Sequence, residues 1–154
     1  MKKFIRLTFV LMLMLILAGC KGKEQVLKCS SISDQSASGY KIKSNYDIYY
    51  SDDVVSKIIT TETVSSKNTT ILAYFEKQLK NQYKVNNESF GGYTYKITNK
   101  DGKVVSKVTI DYSEMDIDKF VKENPAMKSF VNKSNQITLK GVKSMYESMG
   151  ATCK

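Results

Sequence analysis

The chain has 154 residues, enough for one domain, and carries 24 Lys and Arg against 15 Asp and Glu, a formal charge of +9. It contains no His, no Trp and three Cys. That excludes Ser-His-Asp and Cys-His catalysis, every His-ligated metal site and a zinc site of four thiolates.

Residues 1–19 read as a secretory signal peptide. Lys2, Lys3 and Arg6 make the positive start, residues 7–17 an apolar run broken only by Thr8, and Ala18-Gly19 a small-residue cleavage site. The run is shorter than the roughly 20 apolar residues that span a bilayer. Leu17-Ala18-Gly19-Cys20 resembles the bacterial lipobox, which implies diacylglyceryl transfer to the Cys20 thiol and cleavage before it. The competing reading is a secreted protein in which Cys20 is incidental. Two or more acyl chains anchor stably, at about 0.8 kcal/mol per buried methylene. On this reading residues 20–26 are a lipidated tether. Residues 27–154 are one domain on the extracytoplasmic side of the cell membrane.

Residues 26–31 suggest a first strand carrying Cys29, and 33–39 a loop. Alternation then becomes clear. Tyr40, Ile42, Tyr46, Ile48 and Tyr50 fall on one face, and Lys41, Lys43, Asn45 and Asp47 on the other. Ser51-Asp52-Asp53 turns the chain, and the β-branched stretch 54–64 returns as a strand. Asn68 or Ser66 caps a helix whose stripe is Ile71, Leu72, Phe75, Leu79 and Tyr83, ending before Asn86-Asn87. Tyr93, Tyr95 and Ile97 alternate with Thr94, Lys96 and Thr98. Asp101-Gly102 supplies a type I′ turn, and Val104, Val108, Ile110 and Tyr112 return opposite Lys103, Lys107 and Asp111. Asp116 or Ser113 caps a helix through Ile117, Phe120 and Val121, which Asn124-Pro125 restarts. Thr138 caps the last helix, with Gly150 at its end. Strand runs joined by hairpins and interrupted by helices predict an α+β fold. The expected architecture is an antiparallel sheet of four to five strands, with helices packed on one face and Lys and Thr on the other.

With Cys20 acylated, Cys29 and Cys153 remain. An even pair in an exported protein points to a disulfide, against the alternative of two buried thiols. It would close a loop of about 125 residues, worth roughly 5 kcal/mol by chain entropy.

The chain resembles the YehR-like family of small bacterial lipoproteins. The resemblance rests on the lipobox ending in Cys20, the return strand Ile59-Thr60-Thr61-Glu62-Thr63-Val64 and the segment Val108-Thr109-Ile110-Asp111-Tyr112. It also rests on Met115-Asp116-Ile117-Asp118 and on the closing helix 139–150. It implies a small α+β lipoprotein domain and no particular activity.

Four constellations carry chemical possibilities. Asp111, Glu114, Asp116 and Asp118 crowd together, but the spacing is not an EF-hand loop, and helix capping accounts for them without a metal. A hydrolytic carboxylate pair, Asp47 with Glu62 or Asp111 with Glu114, is the enzyme alternative. Most tyrosines share the register of Ile and Val and read as core. Tyr49, on the polar register, is the candidate exposed aromatic. Lys41, Lys43, Lys57, Lys96, Lys103 and Lys107 all fall on the polar register, where they make a candidate anion-binding face or simply a solvated, aggregation-resistant one. The reading is therefore a non-catalytic envelope lipoprotein without cofactor or metal. Its partners would be the membrane, through Cys20, and anionic envelope polymer. The alternative is an accessory subunit docked on another envelope protein. Nucleic acid is not an expected partner.

Overall fold

Three tight connections fold consecutive strands onto one another in the computed structural model, which describes residues 22–154. The expected signal peptide and the Cys20 anchor lie outside the described residues. Strand β1 (Gln25–Gln35) pairs along its whole length with β2 (Tyr40–Ser51), which turns through Asp52, at φ 55°, into β3 (Val54–Ser66). Helix α1 (Thr69–Phe90) leads to the hairpin of β4 (Tyr93–Lys100) and β5 (Lys103–Asp111). Asp101 and Gly102 sit at φ 53° and 71°, as a type I′ turn requires. Then come α2 (Ile117–Glu123), a 3-10 segment (Pro125–Phe130), α3 (Leu139–Ser148) and β6 (Thr152–Cys153).

The sheet is antiparallel throughout, in the order β4-β5-β3-β2-β1-β6. It has six strands where four to five are expected. β6, of two residues, is too short to carry any periodicity. β1 is also longer than predicted: it absorbs the last two tether residues and the start of the predicted loop, because backbone pairing with β2 holds it although most of its side chains are exposed. The remainder of that loop is a 3-10 turn (Ser36–Ser38) closed by Gly39 at φ 84°.

Helix α1 starts at its expected cap, where Asn68 accepts from the Thr70 N–H at 2.9 Å. It does not stop before Asn86-Asn87. Phe90 packs edge-on against Phe120 of α2, with centroids 5.2 Å apart, and this contact outweighs the weak helix propensity of asparagine. The restart after Pro125 is 3-10 rather than α.

The helices cover one face of the sheet. Leu72 and Leu79 of α1 bury Val64 and Val104, with Ile42 and Phe75 at the margin. Val142 and Tyr146 of α3 bury Ile48, Val55 and Ile58, with Cys29 and Ile137. The inner face thus holds two apolar clusters, one under each helix. Among the described residues, no helix is long and apolar enough to cross a membrane.

Candidate functional site

Strand register sorts every side chain in the sheet onto one face or the other. All six predicted lysines fall on the face without helices: Lys41 and Lys43 on β2, Lys57 on β3, Lys96 on β4, and Lys103 and Lys107 on β5. Lys28 of β1 and Lys100 of β4 join them. Asp34, Asp47 and Asp111 share this face. Asp47 pairs with Lys28 at 3.1 Å and Asp34 with Lys41 at 3.2 Å, while Asp111 accepts from Ser113. The Ser36 and Lys41 donors hold the Asp34 carboxyl below its usual range. Lys43, Lys96, Lys103 and Lys107 have no acidic partner among the described residues. Lys96 stands directly opposite Lys107, and Lys100 opposite Lys103. Thr61 and Thr63 lie between the β5 lysines and Lys43.

Tyr49 lies on this face, as alternation predicts, but it is half-buried. Lys57, its cross-strand neighbour, places Nζ 4.4 Å from the ring centroid, a cation–π contact. Tyr95 is the more exposed ring, at 38%, although it holds the inner register. β4 is the sheet edge, and Tyr83 packs against the ring, with centroids 5.6 Å apart.

The acidic run divides its work among local structures. Asp116 caps α2 by accepting from the Lys119 N–H at 2.9 Å. Asp118 accepts from Asn135 at 2.6 Å. The described residues contain no group of three or more His, Cys, Asp or Glu able to hold a metal. The suggested carboxylate pair of Asp47 and Glu62 does not assemble, because register sets them on opposite faces of the sheet.

Sequence reasoning misses one polar row. Ser44, Glu62 and Ser106 stand side by side on β2, β3 and β5, facing inward across the seam between the two apolar clusters. Ser44 is buried and donates to Glu62 Oε2 at 3.3 Å. Burial pushes the Glu62 carboxyl above its usual range, and the Ser44 hydrogen bond offsets this in part. Ser106 is fully buried, and its hydroxyl meets no partner in hydrogen-bonding geometry. The Tyr83 phenol approaches it closely enough for the serine to temper a rise in the phenol's pKa, which burial causes. Beside the row, Tyr46 stacks on Tyr146 with centroids 4.1 Å apart. Burial also raises the pKa of Tyr146. The signal was present in the alternation, as serines at 44 and 106 interrupt otherwise aromatic and aliphatic inner positions.

Cys29 and Cys153 form the expected disulfide, linking β1 to β6. The fold is similar to that in the NMR structure of E. coli YehR, with 18% identity, a TM-score of 0.57 and coverage of 86% of this chain and 91% of that one. An NMR structure of a protein from Streptococcus pneumoniae TIGR4 matches with 13% identity, a TM-score of 0.46 and 90% of each chain. No curated protein sequence matches the chain. The family model described as a protein of unknown function, DUF1307, matches residues 33–152, so the chain belongs to the DUF1307 family, the YehR-like proteins of unassigned function.

Proposed function

We propose that this is a non-catalytic, lipid-anchored module on the extracytoplasmic side of the membrane, and that the uncovered sheet face binds anionic envelope polymer. The carrying observation is the set Lys43, Lys96, Lys103 and Lys107, which shares that face without acidic partners among the described residues. At roughly 4.8 Å between strands, Lys43 lies about 10 Å laterally from the β5 lysines, with threonine hydroxyls in the gap. Such a surface concentrates polyanions and supplies both charge and hydrogen-bond donors. Lys96 and Lys107, opposed in register, repel each other until an anion sits between them. The anchor rests on the signal sequence and the lipobox cysteine.

The test titrates the full-length protein, in non-ionic detergent, with teichoic-type polymer at two salt concentrations. Affinity should fall as salt rises. Reversing Lys43, Lys96 and Lys107 to Glu should weaken it at least tenfold. Equal affinity in that variant overturns the reading. Val26 and Ile32, 42% and 63% exposed on the same face, support docking on another envelope protein as the second reading. That reading predicts co-purification insensitive to salt.

A further inference from the structure

We propose that a groove at the sheet end farthest from the tether binds a phosphorylated sugar. Three connections meet there: the 3-10 turn after β1, the segment around Lys67 between β3 and α1, and the β4–β5 turn. They surround an open space of about 1110 Å³. A phosphate ion alone does not fill it, because sites of about 300–1,000 Å³ hold drug-sized ligands. Its apolar floor is Tyr40 and Leu72, at the end of the cluster under α1. Tyr40 is half-buried and packs edge-on with Phe75, with centroids 5.1 Å apart. The negative face of an aromatic ring suits the C–H face of a sugar. The exposed Thr69 hydroxyl, at the rim, can both donate to and accept from sugar hydroxyls.

The rim selects the charge. Lys41, Lys67 and Lys100 line the groove against one acid, Asp101. Lys67 has no acidic partner among the described residues. Lys41 pairs with Asp34 at 3.2 Å and Lys100 with Asp101 at 3.8 Å. Both pairs are exposed, and such pairs are weak, so their ammonium groups can turn to a ligand. A phosphate monoester carries close to two negative charges and three acceptor oxygens, so it answers three ammonium groups better than a carboxylate does. On the anchored reading proposed above, position rules out a lipid headgroup. Glu24 and Gln25 accept from Ser56 and Tyr50 beside the β2–β3 turn, at 3.1 and 2.9 Å. From there β1 runs 11 residues to the groove, roughly 33 Å at about 3.3 Å per residue. The sugar phosphate therefore comes from beyond the bilayer surface, as a unit of the polymer or as a free molecule.

The test is calorimetric titration of the full-length protein, in a sugar-free non-ionic detergent and 0.15 M salt, with glucose 6-phosphate. Glucose, inorganic phosphate and glucuronate are the controls. Saturable binding at least tenfold tighter than that of each control is expected. Lys67→Glu, at an exposed position, should weaken it at least tenfold. Tyr40→Leu, which keeps an apolar contact for Phe75, should weaken it severalfold. Lys96→Glu with Lys107→Glu lies about 13 Å along the strands from Lys100 and Lys103, beyond the screening length of about 8 Å. That variant tests polymer binding and should leave glucose 6-phosphate binding unchanged, so the two proposals fail separately. Repeating the polymer titration with Lys67→Glu identifies the source: weakened polymer binding points to a polymer unit, and unchanged polymer binding to a free sugar phosphate. Glucose 6-phosphate that binds no tighter than glucuronate or inorganic phosphate, or that binds equally well to Lys67→Glu, overturns the inference.

Discussion

Cys29 and Cys153 face each other directly in antiparallel register, with Cα atoms 4.0 Å apart. Their neighbours Lys28 and Lys154 exchange both backbone hydrogen bonds, at 3.2 and 2.8 Å. The cysteines therefore occupy the non-hydrogen-bonded position, where side chains across a ladder approach most closely. The bridge joins residues 124 apart, so it restricts nearly the whole unfolded chain. By chain entropy it contributes up to about 5 kcal/mol. The double variant Cys29→Ser, Cys153→Ser should melt well below the native protein. Adding a thiol reductant should lower the native melting temperature to that of the variant and leave the variant unchanged. A native protein indifferent to reductant contradicts this.

The sheet is legible in the sequence wherever a long strand alternates. β2 and the β4–β5 hairpin announce themselves through Tyr, Ile and Val at every second residue and through Asp101-Gly102. The lysine face follows from the same period, because alternation fixes a side chain's face before its neighbours are known. What depends on tertiary contact is hidden. The end of α1 is set by Phe90 against Phe120, and β6 forms where the chain's end meets β1 at Cys29. The Glu62 seam needs the β3–β5 register, which brings Glu62 opposite Ser106 across a loop, a helix and a strand.

Gly141 lies in the first turn of α3, buried against the 3-10 segment. A Cβ there would stand 2.7 Å from Phe130 Cδ1 and 2.8 Å from Phe130 Cα. Alanine normally favours a helix over glycine by about 1 kcal/mol. A backbone atom cannot swing aside as a side-chain tip does, so overpacking of about 1–3 kcal/mol prevails. Gly141→Ala should lower the urea midpoint, whereas Lys140→Ala, one residue away and exposed, should stay within about 0.5 kcal/mol of the native protein. A stabilised Gly141→Ala would show that Phe130 yields.

The opposed pair Lys96 and Lys107 sets stability against the proposed binding. Like charges directly across a ladder are destabilising, and opposite charges contribute roughly 0.2–1 kcal/mol. Lys96→Glu should therefore raise the melting temperature at low ionic strength while reducing affinity for anionic polymer. The stabilisation should shrink in 1 M salt, where the screening length falls to about 3 Å. A variant that loses stability at low salt would mean that the two ammonium groups do not interact.

Glu62 should give the protein a distinctive pH dependence. Burial raises its carboxyl above the ordinary value of 4.5 in the folded state, so the folded protein holds this proton more tightly than the unfolded chain does. The resulting stabilisation is fully present below the unfolded pKa and is lost as pH rises through the folded one. Asp34 and Glu76 act in the opposite direction, because donors lower their pKa values, so the whole-protein curve mixes the two effects. Subtracting Glu62→Gln from the native curve removes that mixture. The glutamine variant should be the more stable protein at pH 7, and its advantage should diminish as pH falls towards 4. Denaturant unfolding at half-unit pH steps measures the difference. An advantage that is constant with pH would mean that Glu62 titrates alike in the folded and unfolded chains, and burial would then not govern its charge.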